Sequence, residues 1–180
     1  MSSAVMPRSD RPRRLGPRTR RAVLITHIAS AGTWLGLDVA MAVVVFTVLS
    51  TDDPATRVFG LQTLELITVW PLLVTGMVCL GSGIALGLGS KWGLVRYWWV
   101  AVKLGLNLLL TALVPVALAP EVTRLAQQAR EAAAGNPVTF DLANMVYPPI
   151  VSPTLLLVAM TLSVVKPWGR IRRARGVGAG

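Results

Sequence analysis

From Ala22 to Leu49 the chain reads AVLITHIASAGTWLGLDVAMAVVVFTVL, a run in which His27 and Asp38 are the ionisable residues. A helix rises about 1.5 Å per residue and a bilayer core is roughly 30 Å thick, so this stretch has length to span. Three further apolar stretches follow, at about 59–88, 98–118 and 142–165. The last is short if counted from Ile150, and needs Leu142 to Tyr147 and a kink at Pro148-Pro149 to cross. Between the third and fourth lies the longest loop. Its portion 121–134 has helical composition and ends at the stop signals Gly135 and Pro137, which predicts a short helix on the membrane surface or a continuation of the third span. The pattern therefore predicts an all-α integral membrane bundle of four transmembrane helices over 22–168, between basic tails at 1–21 and 169–180.

Within the first span the periodicity separates two faces. His27, Ala31, Trp34, Asp38 and Met41 recur every three or four residues and share a stripe. His27 and Asp38 are separated by about three turns, roughly 16 Å, so each needs its own partner. Gly32, Gly36 and Ala40 fall on the opposite side, at a spacing that lets another helix approach closely. That face suits packing within the bundle or against a second copy.

Charge fixes the orientation. Seven of the eighteen Lys and Arg lie in residues 1–21 and five in 166–175, and the 90–96 loop adds Lys91 and Arg96. The two other loops hold Arg57, Arg124 and Arg130 beside five acids. Excess Lys and Arg stay on the cytoplasmic side, so both termini are expected there, in the cytoplasmic (inner) cell membrane. The basic tails suit anionic lipids. The net charge of +10 does not imply nucleic acid, because the basic residues flank apolar spans without interleaved aromatics or a readout helix. Residues 1–21 read as a disordered cytoplasmic tail. Arg20-Arg21 faintly echoes an export signal, but the apolar run behind it is too long and lacks a small-residue cleavage site, which favours a retained anchor.

Four ionisable groups fall at bilayer depth: His27, Asp38, Glu65 and Lys103. Such groups are costly in lipid and usually face the bundle. The topology suggests an intramembrane network in which Lys103 reaches Asp38 with Asn107 bridging, while Glu65 is protonated or paired with a loop residue. A structural role as internal glue is the plainest reading, and a proton or ion path through the same groups is the alternative. His27 could also be an axial haem b ligand or, with Cys79, Met41, Met77 and Met160, part of a copper site. A single His excludes a bis-His haem site within one chain, and a lone cysteine excludes an intrachain disulfide. Gly81-x-Gly83-x-x-x-Gly87 has the wrong spacing for a phosphate loop and lies inside a span, and no G-x-S-x-G elbow or metalloprotease motif is present. The expectation is thus no enzyme and no resident cofactor.

His27 with Trp34-Leu35-Gly36, Glu65-Leu66-Ile67-Thr68, the run Trp92-Gly93-Leu94-Val95-Arg96-Tyr97-Trp98-Trp99-Val100, Lys103, and Leu162 through Lys166-Pro167-Trp168-Gly169-Arg170 together resemble a family of small actinobacterial integral membrane proteins. That family carries only a domain-of-unknown-function label. The likeness extends over about residues 21–170 and implies four helices and a cytoplasmic-membrane address, with no activity attached. His27 spaced ahead of Trp34-Leu35-Gly36 also resembles first spans of copper-resistance membrane proteins. Asp38 and Pro148-Pro149 depart from the family pattern. The functional expectation is a non-enzymatic accessory or structural membrane component, as a homo-oligomer or with a membrane-protein partner. A small transporter or proton-linked subunit is the first alternative, and a haem or copper protein using His27 the second.

Overall fold

A computed structural model describes residues 15–89 and 97–165. Four helices in it are long and apolar enough to cross a membrane, and no strand occurs among the described residues. The loop at 90–96, most of the N-terminal tail and the C-terminal tail lie outside the described residues.

Helix α1 spans Pro17–Ser50, starting five residues before the apolar run. Pro17 sits at its first turn, where a missing N–H costs nothing, so Arg18, Arg20 and Arg21 continue the helix instead of belonging to an unstructured tail. The expected disordered tail therefore does not extend over residues 17–21, because Arg is a good helix former and basic composition does not oppose a helix. Helix α2, Pro54–Leu88, also starts early, with Asp53 as its cap: the Asp53 carboxylate accepts from the backbone N–H of Thr56 at 2.9 Å and of Ala55 at 3.3 Å.

Helix α3, Trp98–Leu113, does not end at its prolines. It passes through a π-helical turn at Val114–Leu118 into α4, Ala119–Ala133, making one continuous rod. Of the two readings of 121–134, the structure has the continuation of the third span: α4 is the loop-end part of that rod. Pro115 is absorbed by the wider turn, and Pro120 falls in the first turn of α4, where its missing N–H costs little. Gly135, at φ 87°, closes α4: its N–H bonds to the Ala132 carbonyl and the Asn136 N–H to the Glu131 carbonyl. A short 3₁₀ turn at Ala143–Val146, whose Ala143 N–H donates to the Asp141 carboxylate at 3.2 Å, leads into α5, Pro148–Val165. Pro148 and Pro149 open α5 rather than kinking it, and Pro153 is the proline inside it.

The helices form a ring in which α1 and α3 each pack on α2 and α5 and face one another across the centre. The two ends differ. At the loop end, Met41, Val45, Val48, Leu61, Leu64, Val122, Leu125, Ala129 and Met145 form a closed core, with α4 laid along the start of α2. At mid-height a second cluster gathers around Trp34, Leu72, Cys79 and Leu110. Trp34 fits because residue 76 is glycine: a Cβ there would lie 2.9 Å from the indole and 3.1 Å from Thr111 Oγ1. Cavities open beside both clusters, one from mid-height towards the loop end and two towards the end carrying the described termini.

Candidate functional site

Two polar centres lie inside the bundle, one above the other. The first is built on Asp38, which is fully buried, one turn from Trp34 on α1. Its Oδ2 accepts from Ser152 Oγ on α5 at 2.8 Å. Its Oδ1 is buried without a hydrogen-bond partner, as are Trp34 Nε1 and Thr111 Oγ1. Asp38, Trp34 and Ser152 line a cavity of about 410 Å³ that extends towards the loop end past Tyr147, Asn144 and Glu121. A buried carboxylate with a single hydrogen bond is expensive to keep as a bare charge, and takes up either a proton or a cation.

The walls of this cavity are the places where helical regularity is broken. Leu72 follows Pro71, Val114 precedes Pro115 in the π-turn, and Ser152 precedes Pro153. Each proline removes a backbone donor from its helix at the level of Asp38. Irregular backbone at membrane depth is tolerated where it lines a cavity and is a recurring feature of transport sites.

The second centre is nearer the terminal end. His27 Nδ1 lies 3.0 Å from the Cys79 carbonyl and 3.1 Å from Ser82 Oγ. A carbonyl only accepts, so Nδ1 carries the proton and a neutral ring leaves Nε2 as the acceptor. The ring lies against Gly83, where a Cβ would be 3.2 Å from Cε1. Asn107 Nδ2 donates to Cys79 Sγ at 3.2 Å. His27, Cys79, Asn107 and Lys103 line two cavities of about 220 and 370 Å³.

The expected single network is thus divided. Asp38 bonds Ser152, and no bond joins it to Lys103 or Asn107 among the described residues; Asn107 serves Cys79 instead. The reason is height: Lys103 is level with His27, about three turns of α1 from Asp38. Glu65 pairs with Arg130 on α4 at 2.8 Å, because α4 continues the third span and lies along α2. Gly32, Gly36 and Ala40 are on the outer surface, and a Cβ at Gly32 or Gly36 would touch nothing within 4 Å. Of the copper candidates, His27 and Cys79 are adjacent and Met160 lines the larger cavity with them. Met41 belongs to the loop-end core, and Met77 is exposed on the outside of α2. No group of three or more His, Cys, Asp or Glu gathers among the described residues.

Comparison with known protein families, characterised proteins and solved structures gives no match. The functional reading therefore rests on the geometry. Ser152, Thr111 and Gly76 escaped the sequence reading, and Gly83 entered it only in the rejected phosphate-loop spacing. Small and hydroxylated residues are ordinary in membrane helices, and only the partner across the bundle gives them a role. Cys79, which the sequence offered only as a copper candidate, meets His27 through its carbonyl and Asn107 through its sulfur.

Proposed function

We propose that the chain is a multi-pass protein of the cytoplasmic membrane, termini inside, that acts as a small proton-linked transporter of apolar organic cations. Asp38 is the group that exchanges a proton for the cation. The observation that carries this reading is the half-satisfied Asp38 carboxylate, buried beside a cavity with an indole on its wall. An aromatic face and a carboxylate together suit a cation with apolar substituents. In the protonated protein the carboxyl group is neutral and its burial inexpensive. A cation arriving from the loop end displaces the proton and compensates the carboxylate.

A purely structural component would be expected to close its buried polar groups on partners across the bundle, as His27 does on the Cys79 carbonyl and Asn107 Nδ2 on Cys79 Sγ. Asp38 Oδ1, Trp34 Nε1 and Thr111 Oγ1 are not so closed, which favours the transporter over the accessory role. The π-turn and the prolines beside the cavity provide joints at which the helices can bend around the site. The open Gly32–Gly36–Ala40 face supports assembly as a homodimer.

The test is proton release on adding tetraphenylphosphonium to the purified protein in weakly buffered detergent, with a pH dye as readout. One proton or less per bound cation is expected, abolished in Asp38→Asn. Binding that survives in Asp38→Asn, or wild-type protein that binds no cation, would refute the proposal.

A further inference from the structure

We infer that the cavity pair around Lys103 is a binding site for an anionic amphiphile, a molecule with a carboxylate or phosphate head and an acyl tail. The argument starts from a partition of charge. The described acids lie at the loop end together with Arg57, Arg124 and Arg130, except Asp38 at mid-height, whereas Arg18, Arg20, Arg21 and Lys103 lie towards the terminal end with no described acid beside them. The ion pairs among the described residues are Arg124–Glu121 and Arg130–Glu65, so Lys103 has no carboxylate partner there. The remaining acid of the sequence is Asp10, outside the described residues. An ammonium at bilayer depth needs compensation.

The cavities supply room for it. The smaller is lined by Arg20, His27, Lys103 and Asn107 together with Trp99 and leucines. The larger shares His27, Lys103 and Asn107, then continues between α1, α3 and α5 along apolar side chains such as Leu106, Leu156 and Met160. Its wall includes Leu24, Ile28 and Val164, which are 43%, 62% and 80% exposed. In a membrane helix such residues face acyl chains, so the larger cavity opens onto the bilayer. A head group between Lys103 and Arg20 places its tail in the apolar cavity and reaches the site from the lipid. A free inorganic anion would satisfy the head but not the walls. This inference does not depend on the Asp38 reading.

The experiment is a titration of the full chain in mild detergent with palmitate and, separately, phosphatidylglycerol, read by native mass spectrometry. Hexadecanol and phosphatidylcholine are the uncharged and zwitterionic controls. Saturable binding of either anion, at least tenfold weaker in Lys103→Gln and severalfold weaker in Arg20→Gln, is expected; which anion binds identifies the head. Equal affinity of wild type and Lys103→Gln overturns the inference, as does equal affinity for the anions and their controls. Should Lys103→Gln fail to fold, the Arg20→Gln and head-group comparisons decide alone. If neither anion binds and Asp10→Asn lowers thermal stability as Lys103→Gln does, the counter-charge is internal and the site is not a lipid site.

Discussion

Asp38 and Ser152 are 114 positions apart in sequence, yet a 2.8 Å hydrogen bond joins them across α1 and α5 and uses one carboxylate oxygen of the two. Ser152→Ala would leave the buried carboxylate with no donor. The expected cost is about 1.5–3 kcal/mol where Asp38 is ionised, the range for a hydrogen bond to a charged group, and about 0.5–1.5 kcal/mol where it is protonated. Asp38→Asn removes the charge and should leave unfolding in detergent at or above the wild-type temperature, while abolishing cation-dependent proton release. The combination Asp38→Asn with Ser152→Ala should cost less than Ser152→Ala alone.

Exchanging the charges of Asp38 and Lys103 tests the division of the polar groups. If one network joined them, the double exchange would recover what each single change loses. Because they lie at different levels, Asp38→Lys with Lys103→Asp should fold no better than the worse single variant, measured by monodispersity after purification.

Gly76 and Gly36 should respond oppositely to alanine. A Cβ at Gly76 meets Trp34 at 2.9 Å, whereas one at Gly36 meets nothing within 4 Å. Gly76→Ala should destabilise by about 1–3 kcal/mol through overpacking. Gly36→Ala should leave the monomer's stability unchanged and alter only self-association, seen in cross-linking of membranes.

Glu65 and Arg130 should matter modestly, since both are partly exposed and such pairs contribute little. Single neutralisations should lower the unfolding temperature slightly, and Glu65→Arg with Arg130→Glu should restore it. High salt should erase the difference.

The α2 cap titrates. Hydrogen bonds from Thr56, side chain first and then backbone, with a further backbone bond from Ala55, hold Asp53 below its ordinary value of 3.8. A depressed folded value means that the carboxylate stabilises α2 above pH 3.8 and that this contribution fades as pH falls through the lower folded value. Asp53→Asn should remove that part of the acid dependence, read from unfolding temperatures between neutral pH and pH 3.

Sequence alone determined the membrane-length helices, because bilayer thickness and helical rise set a count of apolar residues that each stretch either reaches or does not. It also determined the helical stripe of His27, Trp34 and Asp38, since periodicity fixes which residues share a direction within one helix. It left open which partner each of them meets. That depends on the relative height of helices joined by turns of unspecified geometry. The tertiary structure decided it: α4 continuing α3 took Arg130 to Glu65, α5 set Ser152 beside Asp38, and Gly76 and Gly83 made room for Trp34 and His27. A hydrogen bond requires atoms within about 3 Å. Hydropathy places residues only to within a helical turn.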